Sequence, residues 1–519
     1  MKNRLSRLSI VLVIAVFQAA VLVSTSSAIE LFGGRLHEVK GSIQQTLNYR
    51  THQDERGVKF SSFRTTFRGE GLLDIITQSS WNLKLYGLFN FWYDNGTNID
   101  RNLGHAIALE SGSYGLRSYR RSNQQEEIMK EIYFEYAWSD VFEARLGKQM
   151  VSWGETAEAR VADVINPLDY SNLVAFPDWE DYKIGLWMGR FFYSPRNMWQ
   201  DISFELIIIP PDFQYNRASP AGSGQYFGAT PQGLTMELPF RTLSWPEYFS
   251  RVFHKQRADA PANDAGNIEA GLRIRGVSFG TDWTLSTFYT RLDSPIYNGA
   301  QGYANSQQMI LNKAIGEFGL PIPKKRIDQV FIYPHYLSSA FTFSKPIEWA
   351  KSVIRGEVVL NSNKEYNWFS SDFQECKTVT RELLTSALTL DRKNMVPYLS
   401  AWNNSRAVST TLTWYHYKLF GHERGIAWEA GVPGYTESTW DKLSVQIDTG
   451  FYHDTIVPAV NFLYDWNGNT TVSGALRFAP GDHWRWMVVY QQINESENSA
   501  GKDIGRYQNQ VIFSMRYEF

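Results

Sequence analysis

From Tyr507 to the terminal Phe519 the side chains fall into two phases. Tyr507, Asn509, Val511, Phe513, Met515, Tyr517 and Phe519 share one; Gln508, Gln510, Ile512, Ser514, Arg516 and Glu518 share the other. A strand has a side-chain period of two, so this segment is a strand with a greasy face and a largely polar face. Two folds accept such a strand: the edge of a soluble β-sandwich, and the wall of a membrane barrel with lipid on one side and water on the other. The segment alone leaves both open.

The same alternation recurs along the chain. Trp81, Leu83, Leu85, Phe89, Phe91 and Tyr93 share a phase, as do Ile132, Phe134, Tyr136 and Trp138, then Ile268, Ala270, Leu272 and Ile274, then Leu443, Val445, Ile447 and Phe451. Each segment has about the 9–11 residues that a tilted strand needs to cross a bilayer, whereas strands of a soluble sandwich usually run to about 5–6. Length therefore favours a transmembrane antiparallel β-barrel. About eighteen strands can be counted, with tight turns alternating with long links such as 95–126, 154–181, 210–266 and 363–382, as in barrels with short periplasmic turns and long extracellular loops. Asn467-Gly468 reads as a tight hairpin on the side where a long loop is expected; sixteen strands, with one pair merged, is the other count. Helices are predicted in two links: one after Ser244, with Pro246 in its first turn and Tyr248, Phe249, Val252 and Phe253 on one face, and one over 304–316.

Lys2, Arg4 and Arg7, the apolar run Leu8 to Val23 and the small residues Ser26-Ser27-Ala28 read as a signal peptide, residues 1–28, cleaved from a barrel of residues 29–519. No other stretch approaches the roughly 18 apolar residues of a spanning helix, and the mean hydropathy is −0.34. Aromatic residues form 15% of the chain, which suits girdles at two lipid interfaces and equally suits a carbohydrate-binding β protein. A net charge of −2 without a basic tail argues against nucleic acid. The single Cys376 excludes an internal disulfide framework and c-type haem attachment.

No G-x-S-x-G elbow, H-E-x-x-H, Walker loop or paired C-x-x-C is present, so no catalytic residue, cofactor or metal is expected. The glycine-rich run Gly222 to Gly228 lacks the spacing and strand–helix context of a phosphate loop. His416, His422 and Glu423 lie close in sequence, at a strand exit, and read as unrelated neighbours more readily than as ligands. A barrel enzyme acting on lipid could still gather Ser, His and a carboxylate from separate strands.

The inferred lumen face carries charges of both signs: Arg64, Arg68, Glu131, Glu135, Glu143, Arg145, Arg273, Arg275, Arg355, Glu357, Arg477 and Arg516. Such charges can line an aqueous path or brace a closed interior through ion pairs. Sixteen to eighteen strands leave room for water, which favours transport.

Gly147-Lys148-Gln149-Met150-Val151-Ser152-Trp153-Gly154-Glu155, followed by Val164-Ile165-Asn166-Pro167-Leu168-Asp169, resembles the "GRQxVxWGE … VINPxD" signature of the Gram-negative outer-membrane family known as domain of unknown function 1302. Ala387-Leu388-Thr389-Leu390-Asp391-Arg392 resembles that family's "ALGLDR" strand end. Lys148 stands where the family commonly has arginine, keeping the charge and losing a planar fork. The family is remotely similar to alginate-export porins, eighteen-stranded barrels with arginines in the lumen. The resemblance implies residence in the cell outer membrane, contact with its lipid, and assembly through the Phe519 strand by the barrel assembly machinery. It also implies association with an RND-type exporter and a periplasmic lipid-carrier-like partner, hence movement of a small or amphiphilic molecule. The segment 154–178, with Gly154, Pro167 and Pro177, suits a loop rather than more sheet and reads as an inward-folded loop. Lys148, Gln149, Trp153, Glu155, Asn166 and Asp169 are expected to form either a hydrogen-bonded constriction or a rim-packing element. The expected function is a porin-like conduit; a lipid-acting barrel enzyme and a sealed structural or adhesive barrel are the alternatives.

Overall fold

A computed structural model describes residues 36–51, 57–122, 124–156, 160–169, 182–196, 201–217, 235–238, 241–244, 259–317, 329–371, 374–396, 399, 407–427, 436–494 and 509–519. Eighteen strands form the wall: β1 (Leu36–Arg50), β2 (Phe60–Thr77), β3 (Trp81–Asp94), β4 (Met129–Trp138), β5 (Phe142–Gln149), β6 (Leu186–Tyr193), β7 (Ser203–Ile209), β8 (Glu269–Ser278), β9 (Thr281–Arg291), β10 (His335–Ile347), β11 (Ser352–Phe369), β12 (Cys376–Asn394), β13 (Val408–Leu419), β14 (Thr439–Asp448), β15 (Ile456–Asp465), β16 (Thr470–Phe478), β17 (Trp484–Asn494) and β18 (Gln510–Glu518). Each pairs antiparallel with its neighbours. The ring closes where β1 meets β18, in register from Ser42↔Glu518 to Arg50↔Gln510. Closure matters because an open edge in lipid would leave backbone N–H and C=O groups unsatisfied, at several kcal/mol each.

The two phases face opposite surroundings. In β3, Phe89, Phe91 and Tyr93 are exposed on the outside, while Leu88, Asn90 and Asp94 are buried within. Leu388 and Leu390, Leu412 and Trp414, and Val488 and Tyr490 continue the outer band. Phe279 (92% exposed) and Trp349 (90%) project from two neighbouring tight turns, where aromatic rings suit the lipid–water boundary. One glycine is demanded by the wall: Gly147 has φ +144°, and a Cβ there would lie 2.3 Å from the Ile132 carbonyl oxygen.

The count of eighteen settles the place of Asn467-Gly468. This hairpin joins β15 to β16 on the extracellular side, with the Gly468 N–H donating to the Asp465 carbonyl at 2.8 Å. The link expected at 363–382 is instead strand: β11 and β12 run on together as far as Phe369↔Cys376, and only 370–375 connect them. Above the lipid band a strand needs no greasy face, so its period-two signal fades although the ladder continues.

Among the described residues, two helices longer than a single turn lie in the extracellular links. α1 (Arg101–Arg120) begins at Asp100, whose side chain accepts the Asn102 N–H at 3.0 Å, and packs Leu103, Ala106, Ile107 and Tyr119 with Val58. α2 (Gly299–Glu317) contains the helix expected at 304–316. Ser244 ends a short strand paired with Thr235–Leu238; the rest of the helix expected after it lies outside the described residues, as do residues 1–28 and the run Gly222 to Gly228.

Candidate functional site

The described parts of the link between β5 and β6, residues 150–156, 160–169 and 182–185, fold into the barrel. Asn166 ties down the near end. This fully buried amide accepts the Val151 N–H at 2.7 Å and donates to the carbonyls of Gln149 (3.1 Å) and Ile184 (2.8 Å). One acceptor and two donors in a single flat group join the outgoing chain to the returning chain, a task that Asp or Leu cannot perform. Gln149 donates to the Met188 carbonyl at 3.3 Å. Trp153, 2% exposed, packs with Val151, Ile165, Leu186, Met188, Ile207, Ile209 and Phe288, and meets the Phe288 ring edge-on at 6.0 Å. It lies so close to β8 that a Cβ on Gly271 would stand 2.9 Å from its ring.

The far end runs on round the inner face of the wall. Val161 and Ala162 pack on Ala340, Val359, Ala387 and Tyr415, inward-facing residues of β10 to β13. β13 is the seventh strand round from β6 in a ring of eighteen. The Glu357 carboxylate, wholly buried, accepts the backbone N–H groups of Ala162 (2.9 Å), Glu155 and Thr156. Beside it Arg355 donates to the Glu155 carbonyl at 2.6 Å and pairs with Asp391 at 2.6 Å. Loop backbone is thus held by charged lumen side chains, the strong kind of hydrogen bond. Inside the loop, Lys183 is buried between Asp163 (2.5 Å) and the Val151 carbonyl (2.7 Å). Burial pushes its ammonium down to about 7, against the opposing pull of Asp163. Arg160 donates to the carbonyls of Asp163 and Asn166.

The six motif residues therefore differ in use. Gln149, Trp153 and Asn166 act through side chains on the inner side. Glu155 supplies its N–H and carbonyl to the far anchor. Asp169 donates its N–H to the Tyr182 carbonyl at 2.6 Å and bridges to Arg217. Lys148, 1% exposed, pairs in register with Ile132 and Trp187 and shares the outer phase of Leu146, so it faces away from Gln149 and from the lumen. Adjacent strand residues must point to opposite faces.

The charged lumen residues form groups within and between strands. Arg64 pairs with Asp94 (3.3 Å) and stacks 3.9 Å over Trp92; Arg68 approaches Glu70 (3.7 Å). Arg145 joins Glu135 (3.1 Å) and Glu143 (2.7 Å). Arg273 and Arg190 share the buried Glu205. Glu131 accepts the Met150 N–H at 2.7 Å, and Arg516 donates to Gln44 at 2.9 Å. Arg275 and Arg477 are exposed to the lumen with no carboxylate partner among the described residues; they lie near the periplasmic ends of β8 and β16, eight strands apart. Glu205, Asp94, Asp163, Arg190 and Lys183 were not singled out in the sequence. Glu205 lies in Ser203–Ile209, where both faces are largely apolar because the inner face packs on the loop, so polarity there does not reveal a lumen strand. His416 and His422 turn to Asp441 and to the Thr436 carbonyl, and Glu423 to Arg381.

A family model described as "Protein of unknown function (DUF1302)" matches residues 40–519, from the first strand to the last. The chain belongs to this family. The fold is also similar to OccAB3 of Acinetobacter baumannii (8% identity, 93% of this chain and 98% of that one, TM-score 0.47). It is similar to the outer membrane protein opdK of Pseudomonas aeruginosa (6%, 93% and 98%, 0.46) and to a BenF-like porin of Pseudomonas fluorescens Pf-5 (8%, 93% and 97%, 0.45). Among curated proteins there is no match.

Proposed function

We propose that this DUF1302 barrel is a conduit of the outer membrane for small or amphiphilic molecules, narrowed by the loop 150–185. The observation that carries the reading is the loop's path. It leaves β5, packs apolar side chains on the inner face of β6 to β9 and is held further round the same face by Glu357 and Arg355 of β11. A wall of eighteen strands encloses a channel wide enough for water, and a loop held against its inner face narrows that space. Arg275 and Arg477 stay wet at the periplasmic mouth, as an aqueous path requires. A signal peptide at 1–28 and a closed transmembrane barrel agree with the outer membrane, and the aromatic strand ending at Phe519 suits handling by the barrel assembly machinery. In this reading an RND-type exporter and a periplasmic lipid carrier deliver the cargo.

Single-channel conductance in planar bilayers tests the proposal, with the wild-type protein and a variant lacking 154–178. The expected result is a small, steady wild-type conductance that rises severalfold without the loop. Absence of current in both would leave a sealed, structural barrel.

A further inference from the structure

Three adjacent strands carry, on the outer face of the wall, a row of residues that plays no part in the lumen. Ser386 of β12 stands opposite His416 of β13, and His416 stands opposite Asp441 of β14. All three are only partly exposed, and they share the phase of the lipid-facing Leu388, Leu390, Leu412, Trp414 and Ile447. Directly opposed residues on one face of an antiparallel pair have Cβ atoms about 4.5–5.5 Å apart, so Ser386 stands beside the imidazole, and a rotation of its side chain would bring the hydroxyl to the ring. His416 Nδ1 is 2.9 Å from Asp441 Oδ1, and Trp414 Nε1 donates to the same oxygen at 3.0 Å. A carboxylate held in this way orients the ring with its proton on Nδ1 and leaves Nε2 as the base.

The depth of the row is equally specific. Towards the periplasm the same outer phase is apolar. Towards the outside it turns polar, with Lys418 donating to Thr439 at 2.9 Å and with Trp466 exposed on the hairpin after β15. Eight residues separate Val408 from His416. At about 3.3 Å each and a tilt of about 40°, the row stands roughly 20 Å above the periplasmic end of β13, near the upper margin of an apolar band about 25 Å tall. That is where an acyl chain gives way to its ester linkage. A charged pair on the lipid side of a barrel is costly unless it sits at such a boundary.

We propose that Ser386, His416 and Asp441 form an acyl-ester hydrolase site on the outer wall, acting on ester-linked lipid of the leaflet around it. Ser386 Oγ attacks the ester carbonyl carbon as its proton passes to His416 Nε2. The bond from that carbon to the alcohol oxygen breaks, and His416 returns the proton to the leaving alkoxide. Water then attacks the acyl-serine, giving its proton to His416; the carboxylic acid departs as the Ser386 hydroxyl is restored. The Asp441 side chain, bonded to His416 Nδ1, holds the ring and stabilises the imidazolium. Nothing in this site depends on whether the lumen conducts.

The test uses the full-length barrel, purified and folded as judged by heat-modifiable migration. It is treated with a fluorophosphonate probe and, separately, mixed with phosphatidylethanolamine vesicles carrying a fluorescent acyl chain. The probe is expected on Ser386 by peptide mass, and S386A and H416N are each expected to lower lipid cleavage by roughly 10³-fold or more. An unlabelled Ser386 in the folded wild type, or cleavage undiminished in folded S386A, would overturn the site. Hydrolysis of soluble p-nitrophenyl butyrate without hydrolysis of vesicle lipid would overturn the membrane substrate.

Discussion

The Glu357 carboxylate receives the Ala162 backbone N–H at 2.9 Å, joining a loop that springs from β5 to a strand on another part of the ring. Three loop N–H groups converge on that one side chain, and among the described residues it is the charged acceptor of the far anchor. It is therefore the point at which the loop is most easily freed without disturbing the ladder of the wall.

Glu357→Ala should release the far end of the loop. Each buried N–H left without an acceptor costs about 1–3 kcal/mol, and three are lost together. The expected outcome is a larger and noisier conductance from a barrel whose heat-modifiable migration is unchanged. Glu155→Ala should do far less, because Glu155 contributes backbone groups to the same anchor.

Asn166→Leu removes both donors and the acceptor that join Val151, Gln149 and Ile184. A loss of about 2–4 kcal/mol is expected, combining unsatisfied backbone groups with a lost amide. A lower urea midpoint in detergent, with earlier protease cleavage between 150 and 185, would report it.

The double change Arg275→Glu and Arg477→Glu reverses charge at two wet positions near the periplasmic mouth. Reversal potentials in a KCl gradient should move towards cation preference, and the effect should shrink at high salt as screening shortens. An unchanged potential would mean that ions do not pass these side chains.

Lys183 supplies a pH dependence. Its folded pKa of about 7 lies below the ordinary lysine value, so between about 7 and 10.5 the unfolded chain binds the extra proton. Stability then rises with pH across that window and carries its full penalty below pH 7. Unfolding midpoints at pH 6, 8 and 10 should climb in the wild type, and that part of the slope should vanish in Lys183→Met.

Much of this architecture is legible in the amino-acid sequence. Phe89, Phe91 and Tyr93 announce a lipid face because each strand residue meets either hydrocarbon or water, and that choice is written into its own side chain. The W-G-E and I-N-P-L-D motifs marked the inward loop for a similar reason: glycine and proline there exclude further sheet. Legibility failed where neighbours decide. The ladder of β11 and β12 runs on beyond the lipid with no greasy phase to reveal it. Lys148 and Gln149, adjacent and both polar, face opposite ways.

What the amino-acid order determined by itself is therefore the wall: strand length, alternation and parity of turns, all local properties. Only the folded ring decided the pairings: which carboxylate each lumen arginine meets, that Glu357 receives loop backbone, and that Ser386, His416 and Asp441 stand in one row. Register between strands is set by closure of the whole sheet, and a shift of one residue would turn every such group to the other face.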